Sequence, residues 1–363
     1  MKPFIFQKSR SWQLWLAMVI LLVLLSACSA DQPPTIPTST DTPTHKSTIT
    51  PTRSATPRPT ATPTLPPLGE TGNPVTMGFV LGQDNSASNA VEDLVDVLSQ
   101  DTGYVMEALL YPDFESLSRD IANGSVHLFW LFPLEYLYLN EQGYADVELM
   151  TNHQGVFSYG IQFIANIHSG FTLFFNPETG ETYGDILDAL QQLSGTRPCF
   201  INPHSVSGYF IPLGLLANTS TPTLEPVFTY HYNAIIRALY IHGICDFGVT
   251  YALTGNPLTS SDILQNLPDA QNQIYTIWQS EGLIPNLSLS AAPNLPVFIR
   301  FRITEALLRM AEGTEGLGQI SAALVYQVEA LQSVEDHFYN PLRSALQPLE
   351  LDLPTIIFES SPQ

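Results

Sequence analysis

Pro198-Cys199-Phe200-Ile201-Asn202-Pro203-His204-Ser205-Val206-Ser207-Gly208-Tyr209 runs from a short β-rich segment into a hydroxyl-rich turn. Phe210-Ile211-Pro212-Leu213-Gly214-Leu215-Leu216 follows as an apolar run that reads as helix. The order is strand, turn, helix start. Ser205 and Ser207 are suited to cap that helix, while its first backbone N–H groups lack partners within it and point out of the turn. Such an end holds an anion through aligned dipoles and needs no lysine. Taken alone, the stretch reads as an ordinary N-cap; the surrounding sequence decides whether it is more.

Upstream, strand-like and helix-like segments alternate. Residues 75–81 are β-like, Val91, Leu94, Val95 and Leu98 recur at helical spacing, and residues 104–110 are β-like again. Leu117 and Ile121 mark a short helix, residues 126–132 a buried strand, and Pro133 opens another helix. Repeated strand–helix units predict a mostly parallel sheet covered on both faces. Residues 147–151 and 157–167 are β-like with no clear helix between them, the pattern of a strand that carries the chain from one lobe to another. A helix over residues 183–193 leads into the opening stretch. Downstream, β-like residues 226–229 and 244–249 flank a helix bearing Asn233, Ile236, Arg237 and Tyr240. Residues 274–278 are β-like, and from Asn294 onward the chain turns helical.

The N-terminus sets the compartment. Lys2, Lys8 and Arg10 precede an apolar run over residues 14–25 that is too short for a comfortable membrane span, and the sequence reads as a secretory signal over residues 1–27. Leu25-Ser26-Ala27-Cys28 resembles the lipobox of bacterial lipoproteins, which makes Cys28 the expected lipid anchor; an uncleaved signal-anchor helix would still leave the rest outside the cytoplasm. Residues 28–68 are rich in Pro and Thr and hold too few apolar groups to bury a core, so they form the expected tether. In a polyproline conformation, about forty residues reach at most about 120 Å.

Residues 69–363 contain seven arginines, no lysine and 32 carboxylates, a formal charge of −25. That field repels nucleic acid and anionic membrane surfaces, and any anionic ligand must be held by local dipoles. Cys199 and Cys245 remain after the anchor; an extracytoplasmic pair permits a disulfide, and two buried thiols fit the sequence as well. Ser205 or Ser207 with His231 and Asp246 has the residue types of a hydrolytic triad, but no Gly-x-Ser-x-Gly elbow is present. The histidines stand singly, with no metal-ligand spacing, and no lysine exists to complete a phosphate loop. Neither an enzyme nor a metal or cofactor is expected. A binding protein needs only a cleft, hydroxyl and amide donors, and aromatic walls.

Several segments carry a resemblance. Asn202 to Tyr209 with Pro212 looks like the Asp-Pro-Asn-Ser-Thr-Ser-Gly-Tyr…Pro signature of the phosphonate, phosphite and phosphate substrate-binding proteins of ABC importers. Phe114 through Phe129-Trp130-Leu131-Phe132-Pro133-Leu134 is similar to that family's Tyr-x-x-Leu…Gly-x-Val-Asp-x-Ala-Trp-Leu-Gly-Pro segment. His168-Ser169-Gly170, residues 231–248 and Leu283-Ile284-Pro285-Asn286 resemble further segments in order. The run from Glu335 to Arg343 resembles the closing Asp-x-x-Tyr-x-Pro-x-Arg.

The resemblance implies an α/β, two-lobed periplasmic-binding-protein type II fold, each lobe a mostly parallel sheet flanked by helices, with two crossover strands. Lobe one would comprise residues 69–165 and 288–363, and lobe two 166–287. It implies a monomeric, lipid-anchored protein on the outer face of the cell membrane, binding a small oxyanion for an ABC permease. A sensory or interaction lipoprotein that keeps the fold with a changed or lost ligand is the alternative. Carried over, the ligand-holding residues are Ser205, Val206, Ser207, Gly208 and Tyr159, with either His231 or Tyr232 as the cleft residue, and Phe114 and Phe132 at two wall positions. Val206 replaces a hydroxyl, Phe132 a glycine and His127 an aspartate, and Phe114 lacks a hydroxyl. Leu253 and Leu287 stand where amine-binding members place acids. The implied cleft is narrower and more apolar than the family norm, and an aminoalkylphosphonate is disfavoured.

Overall fold

The computed structural model describes residues 65–82, 87–252, 267 and 269–359. Cys28, the signal sequence, nearly all of the tether and Leu253 lie outside the described residues. The chain begins with β1 (Val75–Val80), α1 (Ser88–Thr102), β2 (Met106–Tyr111), α2 (Phe114–Ala122), β3 (Leu128–Leu131), α3 (Pro133–Glu141) and β4 (Asp146–Asn152). It then crosses to β5 (Ser158–Asn166), the hairpin of β6 (Phe175–Asn176) and β7 (Glu181–Thr182), α4 (Ile186–Gln191) and β8 (Pro198–Phe200). A wide helical turn over Val206–Phe210 leads into α5 (Ile211–Asn218), followed by β9 (Val227–Phe228), α6 (Tyr232–Ile241) and β10 (Phe247–Ala252). After α7 (Ala270–Gln273), β11 (Ile274–Gln279) and β12 (Ile284–Pro285), the chain returns as β13 (Ser288–Ala291). It closes with α8 (Val297–Ala311), α9 (Thr314–Leu324), β14 (Ala330–Ser333), α10 (Asn340–Leu346) and α11 (Leu353–Glu359).

Two six-stranded sheets result. The first has the order β14-β4-β13-β3-β1-β2; the second runs β11-β5-β10-β8-β9, with β12 also on β5. Both are mixed. The parallel pairs are those the strand–helix repeats predict: β1 with β2 and β3, and β8 with β9 and β10. The antiparallel members, β4, β13 and β14 in one sheet and β5, β11 and β12 in the other, lie around the places where the chain changes lobes.

The expected lobe boundary at residue 165 moves. β5 is hydrogen-bonded between β10 and β11, so it belongs wholly to the second sheet, and the first crossing takes place over residues 153–157. The return falls at Leu287–Ser288, where β13 enters the first sheet.

Alternation along the strands explains why each sheet is covered on both faces. In β3, Leu128 and Trp130 join one apolar cluster with Met77, Leu94, Leu98, Leu289 and Ile303, while Phe129 and Leu131 join another with Leu117, Ile121 and Leu137. In the second sheet, Ile164, Ile235, Ile236, Leu239 and Ile274 bury the disulfide between Cys199 and Cys245, whose Cα atoms are 5.6 Å apart. A polar ladder crosses the same sheet: buried Gln162 donates to Thr250 Oγ1 (3.0 Å) and accepts from Thr276 Oγ1 (3.1 Å). Every member has a partner, which is what such a buried network requires.

The closing motif has a structural task. Tyr136 of α3 stacks on Tyr339 with ring centroids 4.1 Å apart, and its hydroxyl donates to Asp336 (2.7 Å). Arg343 donates to Asp336 (2.6 Å) and to Asn140 Oδ1 (2.8 Å), and Tyr339 reaches Ser288 Oγ (2.9 Å). Burial opposes ionisation of Asp336, but the bonds from Arg343 and Tyr136 outweigh it and hold the carboxyl below its ordinary range. The same segment then carries α10 onto α5 of the other lobe. Gly214 makes that possible, because a Cβ there would collide with the Ala345 carbonyl oxygen.

Candidate functional site

The hydroxyl-rich turn is a helix start of unusual width. Ser205 is its N-cap in extended conformation, and its Oγ accepts from the Gly208 N–H (3.0 Å). The Phe210 N–H donates back to the Ser205 carbonyl (3.0 Å), so residues 206–210 form one π-helical turn before α5 begins. Gly208 has to be glycine: a Cβ would meet the Ile201 side chain and come within 3.0 Å of Ser205 Oγ, disturbing the cap.

Ser207 points into the space between the lobes. It is 9% exposed, and its Oγ lies 3.2 Å from the Tyr232 hydroxyl. The Tyr159 phenol lines the same cavity. Burial is the main force pushing Tyr159 well above its ordinary range, and it also raises Tyr232 against the bond with Ser207. Both phenols therefore stay protonated at neutral pH, and the cluster offers neutral donors.

These groups line a cavity of about 330 Å³. The first lobe contributes Phe132, Pro133 and Tyr326, and the first crossing His153 and Gln154; the second lobe, up to the return at Leu287–Ser288, contributes Tyr159, Ser207, Tyr232, Tyr251 and the run from Pro285 to Leu287. Among the described residues, the walls hold no Asp, Glu, Lys or Arg. A larger hollow near Thr182, Trp278 and Glu281 belongs to the second lobe alone and includes no residue of the turn, so it is set aside.

The crossings position the site. Asn286 Nδ2 donates to the Val156 carbonyl (2.7 Å) and the Thr151 carbonyl (3.3 Å), tying the two crossing segments together. Ile284 pairs with Tyr159, which fixes the phenol at the cavity end of β5. His153 stacks on Tyr326 at 4.5 Å and donates from Nδ1 to the Gln327 carbonyl (2.8 Å). At the start of α3, the Phe132 N–H is taken by the Glu135 carboxylate (2.8 Å), a carboxyl that burial pushes up to about 7, and Pro133 has no N–H. The first lobe thus offers no free donor at those two positions.

Of the residues expected at the site, Ser207, Tyr159, Tyr232 and Phe132 line the cavity. Ser205 and Gly208 build the turn behind Ser207, and the Val206 side chain packs against the core. Two of the expected residues stand apart from the cavity. His231 is the extended N-cap residue of α6 (φ −144) and is exposed, whereas Tyr232, the first helical residue, turns to Ser207. Phe114 is 4% exposed and stacks on Phe358 of α11 at 5.9 Å, with Tyr138 edge-on at 6.2 Å; it is core, because the C-terminal helix covers it. Tyr251, Tyr326, His153 and Gln154 were not anticipated. Tyr251 lies just past the expected end of its strand, and Tyr326 follows α9 in a loop without a motif.

Comparison with known proteins decides the family. Residues 77–339 match the family described as ABC transporter, phosphonate, periplasmic substrate-binding protein. The chain belongs to this family. No curated protein sequence matches it. Among solved structures, XAC2383 from Xanthomonas citri, bound to chloride ion, is similar at 14% identity over 78% of this chain and 99% of that one, with a TM-score of 0.51. PhnD1 from Prochlorococcus marinus, in complex with methylphosphonate, is similar at 14% identity over 76% and 97% of the two chains, with a TM-score of 0.45. A binding protein component of an ABC phosphonate transporter from Pseudomonas aeruginosa shares 18% identity over 75% and 84%, with a TM-score of 0.42. The fold is accordingly the two-lobed type II fold of periplasmic binding proteins. As a member of the periplasmic phosphonate-binding family, the protein is a substrate-binding component of ABC transport and works outside the cytoplasm. Among the described residues, no helix is long and apolar enough to cross a membrane.

Proposed function

We propose that this phosphonate-family binding protein captures a small oxyanion, of the phosphonate or phosphite kind, between its lobes and hands it to an ABC permease. It is held to the outer face of the membrane by lipidated Cys28 on the Pro/Thr-rich tether, acts as a monomer and performs no catalysis. The observation that carries this reading is the placement of Ser207: nearly buried, at the start of the helical run 206–218, with the Tyr232 phenol on its hydroxyl and Tyr159 lining the same inter-lobe cavity. An anion there would be met by helix-start N–H groups and by the Ser207, Tyr159 and Tyr232 hydroxyls. The proposed lobes are residues 69–152 with 288–363, and 158–287.

A thermal-shift panel of phosphate, phosphite, methylphosphonate, methylsulfonate and uncharged analogues tests it. A tetrahedral oxyanion is expected to raise the melting temperature, by mass action on the folded state. Stabilisation by uncharged compounds alone would sink the oxyanion assignment.

A further inference from the structure

The anion-facing cluster occupies one part of the cavity, and the remaining wall has its own chemistry. Phe132 and Tyr326 meet edge-on at 6.4 Å from the first lobe, and His153 stacks on Tyr326. From the second lobe, Tyr232 and Tyr251 meet edge-on at 5.2 Å. Aromatic residues therefore line one cavity from both lobes, and among the described residues its wall has no carboxylate or cation. A bare tetrahedral oxyanion would leave most of the 330 Å³ unfilled against these rings.

Three arguments select what fills that space. Ring faces attract cations through their quadrupoles, and the gain grows when the site is desolvated. A primary ammonium brings three N–H donors that must be satisfied, and among the described residues this wall has no carboxylate to take them, only neutral amide and hydroxyl acceptors. A fully alkylated ammonium has no N–H to satisfy and presents only methyl groups to the rings. The third argument is long-range: residues 69–363 carry a formal charge of −25, which opposes the approach of an anion and favours that of a cation. A compound bearing both charges meets the smaller barrier.

We propose that the preferred ligand is a zwitterion with a phosphonate at one end, held at the Ser207 turn, and a fully alkylated ammonium at the other, held among Phe132, Tyr232, Tyr251 and Tyr326. This rests on the oxyanion reading of the turn. Calorimetric titration of the full chain with four probes tests it: methylphosphonate, 2-aminoethylphosphonate, its N,N,N-trimethyl derivative, and 3,3-dimethylbutylphosphonate, in which carbon replaces the quaternary nitrogen. The trimethylammonium compound is expected to bind at least about fivefold tighter than its carbon isostere, which keeps only the phosphonate charge, and tighter than the primary amine. Phe132→Leu and Tyr251→Leu are each expected to move the ratio of the affinities of the trimethylammonium compound and its carbon isostere toward one, a readout independent of overall loss of binding. Equal affinity of the charged compound and its isostere, with methylphosphonate still bound through Ser207, would overturn the zwitterion and leave the turn's role standing. Tighter binding of the primary amine would overturn it in the same way. If none of the four binds, the turn's role and the zwitterion fall together.

Discussion

Replacing Cys199 and Cys245 together by alanine is expected to lower the free energy of unfolding by about 4 kcal/mol. The two residues are 46 positions apart, and closing a loop of that length removes about 4 kcal/mol of chain entropy from the unfolded state at 25 °C. The bridge lies where it also shapes the native state. Cys199 is the middle residue of β8, Cys245 leads into β10, and those strands pair in parallel through Phe247–Pro198 and Gly248–Cys199. Both cysteines are almost fully buried, so the substitution additionally leaves a small void. Urea unfolding of the oxidised protein and the double variant measures the difference. A loss under about 1 kcal/mol would show that the thiols do not form the bridge. The bridge also belongs with an extracytoplasmic protein, since disulfides persist in oxidising compartments.

Gly214→Val is expected to destabilise the protein by about 3 kcal/mol, at the upper end for overpacking of a core. The colliding atom is the Ala345 carbonyl oxygen, with the Ala345 carbonyl carbon 2.9 Å from the same Cβ position, and backbone has no rotamer by which to move aside. Helix α5 would have to part from α10, loosening the contact in which Asn218 Nδ2 donates to the Ser344 carbonyl (3.3 Å). Gly318 in α9 is the control: a Cβ there meets nothing within 4 Å, so Gly318→Ala should be neutral or slightly stabilising, by helix propensity alone. Equal unfolding midpoints for Gly214→Val and the unmodified protein would show that α5 and α10 do not pack this closely.

How far the sequence revealed this structure depended on whether a feature is local. The strand–turn–helix around Ser205 is written in adjacent residues, and so is the strand–helix alternation of the first lobe. The owner of β5 is not. Ser158-Tyr159-Gly160-Ile161-Gln162-Phe163-Ile164-Ala165-Asn166 is largely buried, so its apolar pattern is the same in either sheet. Its partners, β10 and β11, come some eighty to a hundred and twenty residues later. The choice between His231 and Tyr232 turned on one residue of phase at the start of α6. Extended backbone sends His231 to solvent, and the next residue brings its phenol to Ser207. Phe114 was misplaced for a different reason: its burial depends on Phe358, at the far end of the chain. Tyr251 and Tyr326 complete the wall without belonging to any motif, and only the fold brings them together.

The role of the turn reduces to one hydroxyl. Ser207 is nearly buried with its hydroxyl in the cavity, and removing a hydrogen bond to a charged group costs about 1.5–3 kcal/mol, roughly 10- to 150-fold in affinity. The most direct measurement is calorimetric titration of a phosphonate into the unmodified protein and into Ser207→Ala, with the melting of both ligand-free proteins as control. At least tenfold weaker binding to Ser207→Ala, with ligand-free melting nearly unchanged, is the predicted result; equal affinity for the two proteins would contradict it.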